Sequence, residues 1–290
     1  MSTPQAPSAR DLAEKSYVLG THDAELERLG FQHSVWRDEV LQAWRNAGIR
    51  EGARVIDVGA GPGFASLDLA ELVGPRGAVL AVERSARFLS FLAEEAQRRG
   101  LRNISLAELD LMQSEIPTAP TNGNGMTAGF DAAWCRWVAC FVPDPQLLAN
   151  RFSAALASGG VAVFHEYVEY GSFQLLPPRS EIGEFVQAVF ESWRAQAGEP
   201  DIARVLPMLL DHAGFAVQSV RPIARCARRQ DRLWHWPAGF VRINVPRLVE
   251  LGVRDAAWGR RVISAINEAE ADDRSIFVTP TVLEIIAVKR

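Results

Sequence analysis

The chain has 290 residues, of which 48% are hydrophobic and 23% charged, and it carries a net charge of −4 at pH 7. This length allows one large α/β domain with insertions, and the composition excludes a disordered or fibrous chain. The acidic balance argues against a large nucleic-acid surface, because phosphate binding depends on clustered Lys and Arg.

The sequence also predicts a cytoplasmic protein. No apolar run reaches the length that crosses a bilayer, and the polar N-terminus lacks the apolar core of a signal peptide. The three cysteines, Cys135, Cys140 and Cys226, are odd in number and have no zinc-finger or CxxC spacing. We therefore expect reduced thiols and no metal site.

The first elements alternate between helix and strand. Residues 23–47 predict an amphipathic helix, or two with a break near Gly30, that ends at Gly48. The expected order after it is a strand at 54–58, a helix at 64–73, a strand at 78–82, a helix from the capping residue Ser85 to about 99, strands at 104–109 and 130–135, a helix at 144–157 and a strand at 160–164. This alternation indicates a doubly wound, mostly parallel sheet.

The alternation is interrupted after residue 170. The expected order there is helices at 181–196 and 201–213, a strand at 215–225, and helices at 234–251 and 255–271. Residues 276–288 hold a last strand, with Pro280 limiting where its ladder can begin. The sheet would then have seven strands in a Rossmann-like α/β fold. The predicted division is an N-terminal helical cap at 1–49, an α/β core at 50–170, lid helices with the sixth strand at 171–275, and the last core strand at 276–290.

The helices outside the core allow two arrangements. Ligands of open α/β sheets bind beyond the carboxyl ends of the strands. The added helices therefore either cover that edge as a lid or pack on a helical face away from the site.

The strongest functional signal is Val55-Ile-Asp-Val-Gly-Ala-Gly-Pro-Gly63, a strand that enters a glycine turn before a helix. Glycine permits the tight turn and lets a ligand approach the backbone, and the helix N-terminus offers free N–H groups. The G-x-G-x-G spacing, with Asp57 inside the strand, departs from the G-x-G-x-x-G of dinucleotide sites. A plain tight turn is the alternative.

Two further acids follow neighbouring strands. Glu83 ends the second strand, where a carboxylate can accept hydrogen bonds from both hydroxyls of a ribose. Asp110 ends the third strand, where it can accept from an adenine amino group while the Leu111 N–H donates to the ring. The alternatives are a solvated charge at Glu83 and a carboxylate at Asp110 that caps the next turn.

These stretches, together with Arg136, resemble bacterial class I methyltransferases of the ubiquinone/menaquinone-methyltransferase-like small-molecule type. The similarity extends from about Tyr17 to the C-terminus and is strongest from Asp57 to Glu166. It implies a site for S-adenosylmethionine lined by Asp57, Gly59, Ala60, Gly61, Gly63, Glu83, Arg84, Asp110, Leu111 and Arg136. It also implies that Tyr17 and Gln32 help to close the site, with packing as the alternative for Tyr17 and a surface or capping role for Gln32.

The resemblance implies methyl transfer to a small-molecule acceptor by a monomer or homodimer. A hydroxyl or thiol acceptor needs a base, and His165, at the end of the fifth strand, is the best candidate; a structural histidine is the alternative, and His33 is a second candidate. Aromatic residues of the expected lid form either an apolar slot for a planar acceptor or a helix-packing core: Phe173, Phe185, Phe190, Trp193, Trp234, Trp236 and Phe240.

Other functions fit the sequence less well. Enzymes that methylate exocyclic amines of nucleic acids carry an Asn/Asp-Pro-Pro-aromatic motif after the fourth strand, where this chain has Cys135-Arg-Trp137. A nicotinamide-dependent oxidoreductase conflicts with the glycine spacing. A protein that binds S-adenosylmethionine without methylating is left open.

Overall fold

The computed structural model describes residues 23–117 and 129–290. Tyr17 and the first 22 residues of the predicted cap lie outside the described residues. None of the helices in these two ranges combines the length and apolar character that a bilayer span requires.

The described elements, in chain order, are α1 (Asp23–Asn46), β1 (Arg54–Val58), α2 (Phe64–Val73), β2 (Ala78–Glu83), α3 (Ala86–Arg99), β3 (Ile104–Glu108), β4 (Phe130–Arg136), α4 (Pro145–Ala155), β5 (Leu156–Glu169), β6 (Gln174–Leu176), α5 (Ser180–Arg194), α6 (Leu206–His212), β7 (Phe215–Ile223), β8 (Cys226–Arg228), α7 (His235–Glu250), α8 (Ala256–Ala271), β9 (Ile276–Val278) and β10 (Thr281–Lys289). Their local signals agree with the sequence: the Ser85 hydroxyl accepts from the Phe88 N–H at the start of α3.

Seven strands form the central sheet in the order β3-β2-β1-β4-β5-β10-β7. The first five are parallel, and β10 runs antiparallel to both of its neighbours. The inner strands are buried on both faces because helices cover them. This confirms the predicted doubly wound, mostly parallel seven-stranded sheet. The strand order reverses between β1 and β4, which is where such sheets bind ligands.

The last strand predicted within 276–288 enters the central sheet only after Pro280, the residue expected to limit where its ladder begins. The chain divides at Thr279 and Pro280, so that β9 joins β6 and β8 in a separate three-stranded sheet and only β10 enters the central sheet. Proline cannot donate to a strand ladder, and the Thr279 N–H donates to the Arg225 carbonyl at 2.9 Å instead.

The single predicted helix is confirmed and the alternative of a break near Gly30 is wrong, because α1 is continuous. The glycine permits a close approach: a Cβ at Gly30 would lie 3.0 Å from Cζ of Phe64. The first turns of α1 lie at the carboxyl edge of the sheet. Its last turns reach β10, where the Asn46 amide donates to Glu284 at 3.5 Å.

Candidate active site

A cavity of about 530 Å³ lies at the carboxyl ends of β1, β2, β4 and β5. The glycine turn and the ends of these strands form one part of its wall. Helix α1 contributes Arg28 and Gln32, α5 contributes Trp193, and α7 contributes Trp236. The helices outside the core therefore cover the ligand edge of the sheet rather than only packing away from it.

The three glycines of the turn differ in what surrounds them. All have positive φ, and a Cβ would lie 2.4 Å from Val138 at Gly59 and 2.4 Å from Leu92 at Gly63, but would meet no atom within 4 Å at Gly61. Gly59 and Gly61 line the cavity, whereas Gly63 does not. Gly63 thus serves the packing of α2 against α3, and Gly61 keeps space open beside the turn.

The Asp57 carboxylate is buried under this turn. Its Oδ2 accepts a 2.6 Å hydrogen bond from the Ser66 hydroxyl. Burial raises the pKa of Asp57 to about 6, against the effect of that hydrogen bond. Asp57 also lines the cavity.

Glu83 joins the end of β2 to the glycine turn. One carboxylate oxygen accepts from the Gly61 N–H at 2.9 Å, and the other accepts from the N–H groups of Arg84 and Ser85 at 2.8 and 2.9 Å. Burial raises the pKa of Glu83, and these hydrogen bonds act against it. The carboxylate is only 3% exposed, so the alternative of a solvated charge is wrong. It has a fixed orientation and still lines the cavity.

Asp110 caps a turn and also borders the cavity. Its Oδ1 accepts from the Met112 N–H at 2.8 Å and its Oδ2 from the Gln113 side chain at 3.0 Å, so it caps its own turn. Asp110 and Leu111 also line the cavity. Ala60 and Arg84 lie on the same wall.

Arg136, at the end of β4, is held by a histidine of α1. Its Nη2 lies 3.1 Å from Nδ1 of His33, while its buried Nη1 has no hydrogen-bond partner among the described residues. Burial lowers the pKa of Arg136 to about 10, and the charge of Asp57 acts to raise it. The guanidinium is thus a positively charged group on the cavity wall with donors to spare.

Gln32 joins α1 to α7 instead of lying on the surface. Its Oε1 accepts from Arg28 at 3.0 Å and from the Trp236 indole N–H at 2.9 Å. Arg28 also donates two hydrogen bonds to the buried carboxylate of Glu25, at 2.7 and 2.6 Å. The sequence reasoning missed this polar group, whose signal is the i, i+3, i+7 spacing of Glu25, Arg28 and Gln32 on one helix face.

Trp137 forms the centre of an aromatic wall. Its ring stacks on Tyr167, at a centroid distance of 5.5 Å and 14° between planes, and on Trp236, at 5.7 Å and 17°. Its φ is 53°, an uncommon value for a residue with a bulky side chain. The Glu166 carboxylate maintains this turn, because its Oε1 accepts from the Val138 and Ala139 N–H groups at 2.8 and 2.9 Å. Such strain concentrates at functional sites.

Residues 49–200, more than half of the chain, match the family model described as a methyltransferase domain. The chain belongs to this family. The match confirms the predicted membership in the class I methyltransferases and S-adenosylmethionine as the co-substrate.

Two relatives illustrate the similarity of this chain to known methyltransferases. It is 33% identical to aklanonic acid methyltransferase DauC of Streptomyces sp. (strain C5) over 152 residues, which are 50% of this chain and 64% of the relative. It is 26% identical to demethylmenaquinone methyltransferase of Geobacillus kaustophilus (strain HTA426) over 204 residues, 66% of this chain and 81% of the relative. The chain thus spans less than two thirds of DauC's length.

Solved structures share the fold of the methyltransferase at low identity. The [4+2]-cyclase SpnF has a TM-score of 0.59 at 17% identity, with 99% of this chain and 97% of that chain covered. Coclaurine N-methyltransferase bound to N-methylheliamine and SAH has a TM-score of 0.54 at 15% identity, with 87% and 72% covered. These likenesses show the fold alone.

The methyltransferase does not place His165 at its cavity, so the prediction that this histidine faces the acceptor is wrong. Strand β5 continues to Glu169, and His165 therefore lies inside the sheet, fully buried, with Nε2 at 3.2 Å from Glu284. His33 does not line the cavity either. Both histidines have structural partners instead.

The aromatic residues of the methyltransferase divide between cavity and core. Of the predicted set, Phe173, Trp193, Trp236 and Phe240 line the cavity, and Phe185, Phe190 and Trp234 do not. The sequence reasoning missed six cavity aromatics: Phe64, Trp134, Trp137, Phe141, Tyr167 and Tyr170. Their available signal was position, since Phe64 begins α2 after the glycine turn and the other five lie in or shortly after β4 or β5.

Proposed function

We propose that the protein transfers a methyl group from S-adenosylmethionine to a planar, largely apolar small molecule. One observation carries this function: a single cavity is lined both by the glycine turn with its carboxylates and by a wall of aromatic rings. The two parts of the cavity are hereafter the co-substrate half and the acceptor half. The co-substrate half comprises Asp57, Gly59, Ala60, Gly61, Glu83, Arg84, Asp110, Leu111 and Arg136, and the acceptor half Trp137, Phe141, Tyr167, Tyr170, Phe173, Trp193, Trp236 and Phe240.

The co-substrate half fits the adenosyl and amino-acid parts of S-adenosylmethionine. We assign the ribose hydroxyls to Glu83, whose backbone hydrogen bonds fix its carboxylate before the ligand arrives. We assign the adenine to Asp110 and the Leu111 N–H. We assign the ligand's carboxylate to Nη1 of Arg136, which has no partner among the described residues. The space beside Gly61, which a Cβ would enter, fits close approach of a ligand to the backbone.

The acceptor half supports a planar acceptor. Tyr167 and Trp236 are each stacked on Trp137, and aromatic rings of this kind bind flat molecules by offset stacking. The buried pair of Glu25 and Arg28 adds polar groups to an otherwise apolar wall. A few polar groups in an apolar pocket fix the orientation of a ligand.

The chain's own contribution is to align the reactants and exclude water. When bound, S-adenosylmethionine supplies a methyl carbon activated by a sulfonium. The rigid turn and stacked rings hold donor and acceptor in one orientation, and good alignment contributes roughly 7–11 kcal/mol to lowering such a barrier. Helices α1, α5 and α7 cover part of the cavity and so limit the access of water to it.

Several predicted features remain part of the proposal. We retain Tyr17 as a residue that closes the site, the division into cap, core, lid and last strand, and a cytoplasmic enzyme that acts on small molecules rather than nucleic acid as a monomer or homodimer. The free state of Cys135, Cys140 and Cys226 fits a reducing compartment.

A second function, binding of S-adenosylmethionine without methylation, has one observation in its favour. The structural neighbour that covers 99% of this chain is a [4+2]-cyclase. The fold is therefore compatible with chemistry other than methyl transfer.

Calorimetry and a product assay together test the function. We expect S-adenosylhomocysteine to bind the wild-type protein, and S-adenosylmethionine to be converted to S-adenosylhomocysteine with aklanonic acid or demethylmenaquinone as acceptor. Glu83→Gln should weaken binding roughly tenfold, because the neutral amide is a poorer acceptor for the ribose hydroxyls. Glu94→Gln, the same change on the exposed face of α3, is the matched control.

The outcomes separate the two functions. If S-adenosylhomocysteine produced no heat, both would be wrong. Binding together with acceptor-dependent product formation supports the methyltransferase, whereas binding without product formation from either acceptor favours the second function.

A further inference from the structure

His33 stands at the centre of a buried chain of polar groups that ends at the cavity. Its Nε2 lies 3.0 Å from Oδ2 of Asp68 on α2, and its Nδ1 lies 3.1 Å from Nη2 of Arg136. Arg37, one turn further along α1, donates to the same Asp68 oxygen at 2.7 Å. The His33 ring also stacks on Phe64, at a centroid distance of 6.2 Å and 22° between planes. The ring is thus fixed on both edges and on one face.

The partners of His33 determine where its proton lies. A guanidinium has only donors, so Nδ1 must present its lone pair to Arg136. The remaining proton then lies on Nε2 and is donated to the Asp68 carboxylate. His33 is therefore a neutral imidazole. Its hydrogen bond to Asp68 fixes the ring, and the fixed ring in turn orients Arg136.

Arg136 is the member of this chain that lines the cavity. Its Nη2 is taken by His33, its Nη1 has no partner among the described residues, and its guanidinium centre lies 5.1 Å from the Trp137 ring. A buried donor without a partner is costly, and an anionic ligand would satisfy it. One edge of the guanidinium is therefore fixed by protein and the other remains for a ligand.

We propose that His33 is a positioning residue, which with Asp68 orients the Arg136 guanidinium toward the carboxylate of S-adenosylmethionine. This inference rests on the proposed function, and it gives His33 a role in co-substrate affinity rather than in proton abstraction. It follows that loss of the imidazole raises the KM for S-adenosylmethionine while kcat is largely kept, because the acceptor half is unchanged.

Protonation of His33 has the same consequence as its removal. A proton on Nδ1 would oppose the N–H of Arg136 and break that hydrogen bond. The charged groups that face His33 are Asp68, Arg37 and Arg136. Burial lowers the pKa of His33, the hydrogen bond to Asp68 raises it in part, and the Arg136 charge lowers it further. The imidazole is therefore neutral at neutral pH, and affinity falls only on the acid side.

Two substitutions separate the hydrogen bond from the titration. His33→Leu removes both contacts, and we expect the Kd of S-adenosylhomocysteine to rise roughly ten- to hundredfold at about pH 8. His33→Asn places an amide oxygen where Nδ1 lies, so it can still accept from Arg136 but does not titrate. We expect its Kd to stay within roughly threefold of wild type at about pH 8. His212→Asn, on an exposed turn of α6, is the matched control and should not differ from wild type.

The deciding measurement is the Kd from about pH 8 to about pH 5 by calorimetry. Asp57 titrates in the same range, with a pKa of about 6, and its contribution is common to all variants. We expect wild type to lose more affinity at acid pH than His33→Asn, whose profile retains only the Asp57 contribution. Kinetics with the acceptor that is turned over should show the rise in KM for His33→Leu without a matching fall in kcat.

Three results would each have a distinct meaning. Parallel pH profiles of wild type and His33→Asn would overturn the inference, as would an unchanged Kd for folded His33→Leu. If His33→Leu does not fold, as judged by circular dichroism, the comparison with His33→Asn still decides. Failure of wild type to bind S-adenosylhomocysteine at any pH would instead overturn the proposed function.

Discussion

The two halves of the cavity are built in different ways. The co-substrate half comes from strand ends and turns, and backbone N–H groups fix two of its acids: Glu83, from the next residues and the glycine turn, and Asp110, from its own turn. The acceptor half comes from side chains that are far apart in sequence, with Trp137, Tyr167 and Trp236 meeting only in the folded chain. Ligand recognition by backbone geometry is constrained by the fold, whereas recognition by packed side chains can change without altering it.

Substitutions in the two halves should therefore affect different binding steps. A change in the co-substrate half should alter binding of S-adenosylhomocysteine whatever the acceptor is. A change in the acceptor half should alter the KM of the acceptor and leave S-adenosylhomocysteine binding intact. The predictions below test that separation, from the largest effect to the smallest.

Gly61→Ala should have the largest effect. Gly61 and Gly100 both have positive φ, +55° and +71°, and a Cβ at either meets no protein atom within 4 Å. Only Gly61 lines the cavity, so its methyl group would occupy ligand space. We expect both alanine variants to lose similar stability, about 1 kcal/mol, but only Gly61→Ala to weaken S-adenosylhomocysteine binding, roughly a hundredfold. Equal binding by the two variants in calorimetry would contradict the assigned position of the ligand.

Glu166→Gln tests the turn after β4, which the Glu166 carboxylate holds through the Val138 and Ala139 N–H groups. This turn connects the two halves, because Arg136 lines the co-substrate half and Trp137 the acceptor half. Burial raises the pKa of Glu166 from 4.5 to about 7, against hydrogen bonds from Val138 and Ala139. The folded state thus holds a proton that the unfolded state releases, and wild-type stability should fall as pH rises through this window. The glutamine cannot titrate but can still accept from the turn.

Urea denaturation across the same window measures this effect. The difference in unfolding free energy, Glu166→Gln minus wild type, should increase by up to about 3 kcal/mol as the pH rises from 4.5 to about 7. A constant difference between the two proteins at every pH would show that Glu166 ionises normally in the fold.

Trp236→Phe should have the smallest effect and act on the acceptor half alone. The change removes the indole N–H that donates to Gln32 and shortens the stack on Trp137. We expect the acceptor KM to rise about fivefold and the Kd of S-adenosylhomocysteine to stay unchanged. Trp258→Phe, buried in α8 away from the cavity, is the matched control. A rise in Kd for Trp236→Phe would show that the halves are not separable.

Most residues that the sequence assigned to the co-substrate site do line one cavity, because their signals are local. The strand, the glycine turn and the following acids lie within about 60 residues. The position of each follows from the strand or turn next to it in the sequence. Even there Gly63 is misassigned, since its contact with Leu92 depends on how α3 packs. No local pattern reports that packing.

The acceptor half and the histidines depended on tertiary distances that a sequence does not contain. His165 was expected at a strand end, but β5 continues past it because pairing with β10 extends to Glu169. The three-stranded sheet was missed for a similar reason: β6, β8 and β9 have three residues each and meet across long separations. Short strands carry too few residues to show a period of two.

The unbroken course of α1 restricts how the cavity can open. Its 24 residues form a rod about 36 Å long. One end of the rod lies on the cavity wall, and near the other Glu39 accepts from Arg221 at 2.9 Å. A displacement of the cavity end of α1 would require either a tilt of the whole helix, which would disturb the Glu39–Arg221 ion pair, or a bend within the helix, for instance at Gly30 beside Phe64. The unbroken helix thus connects one wall of the cavity to the opposite edge of the sheet.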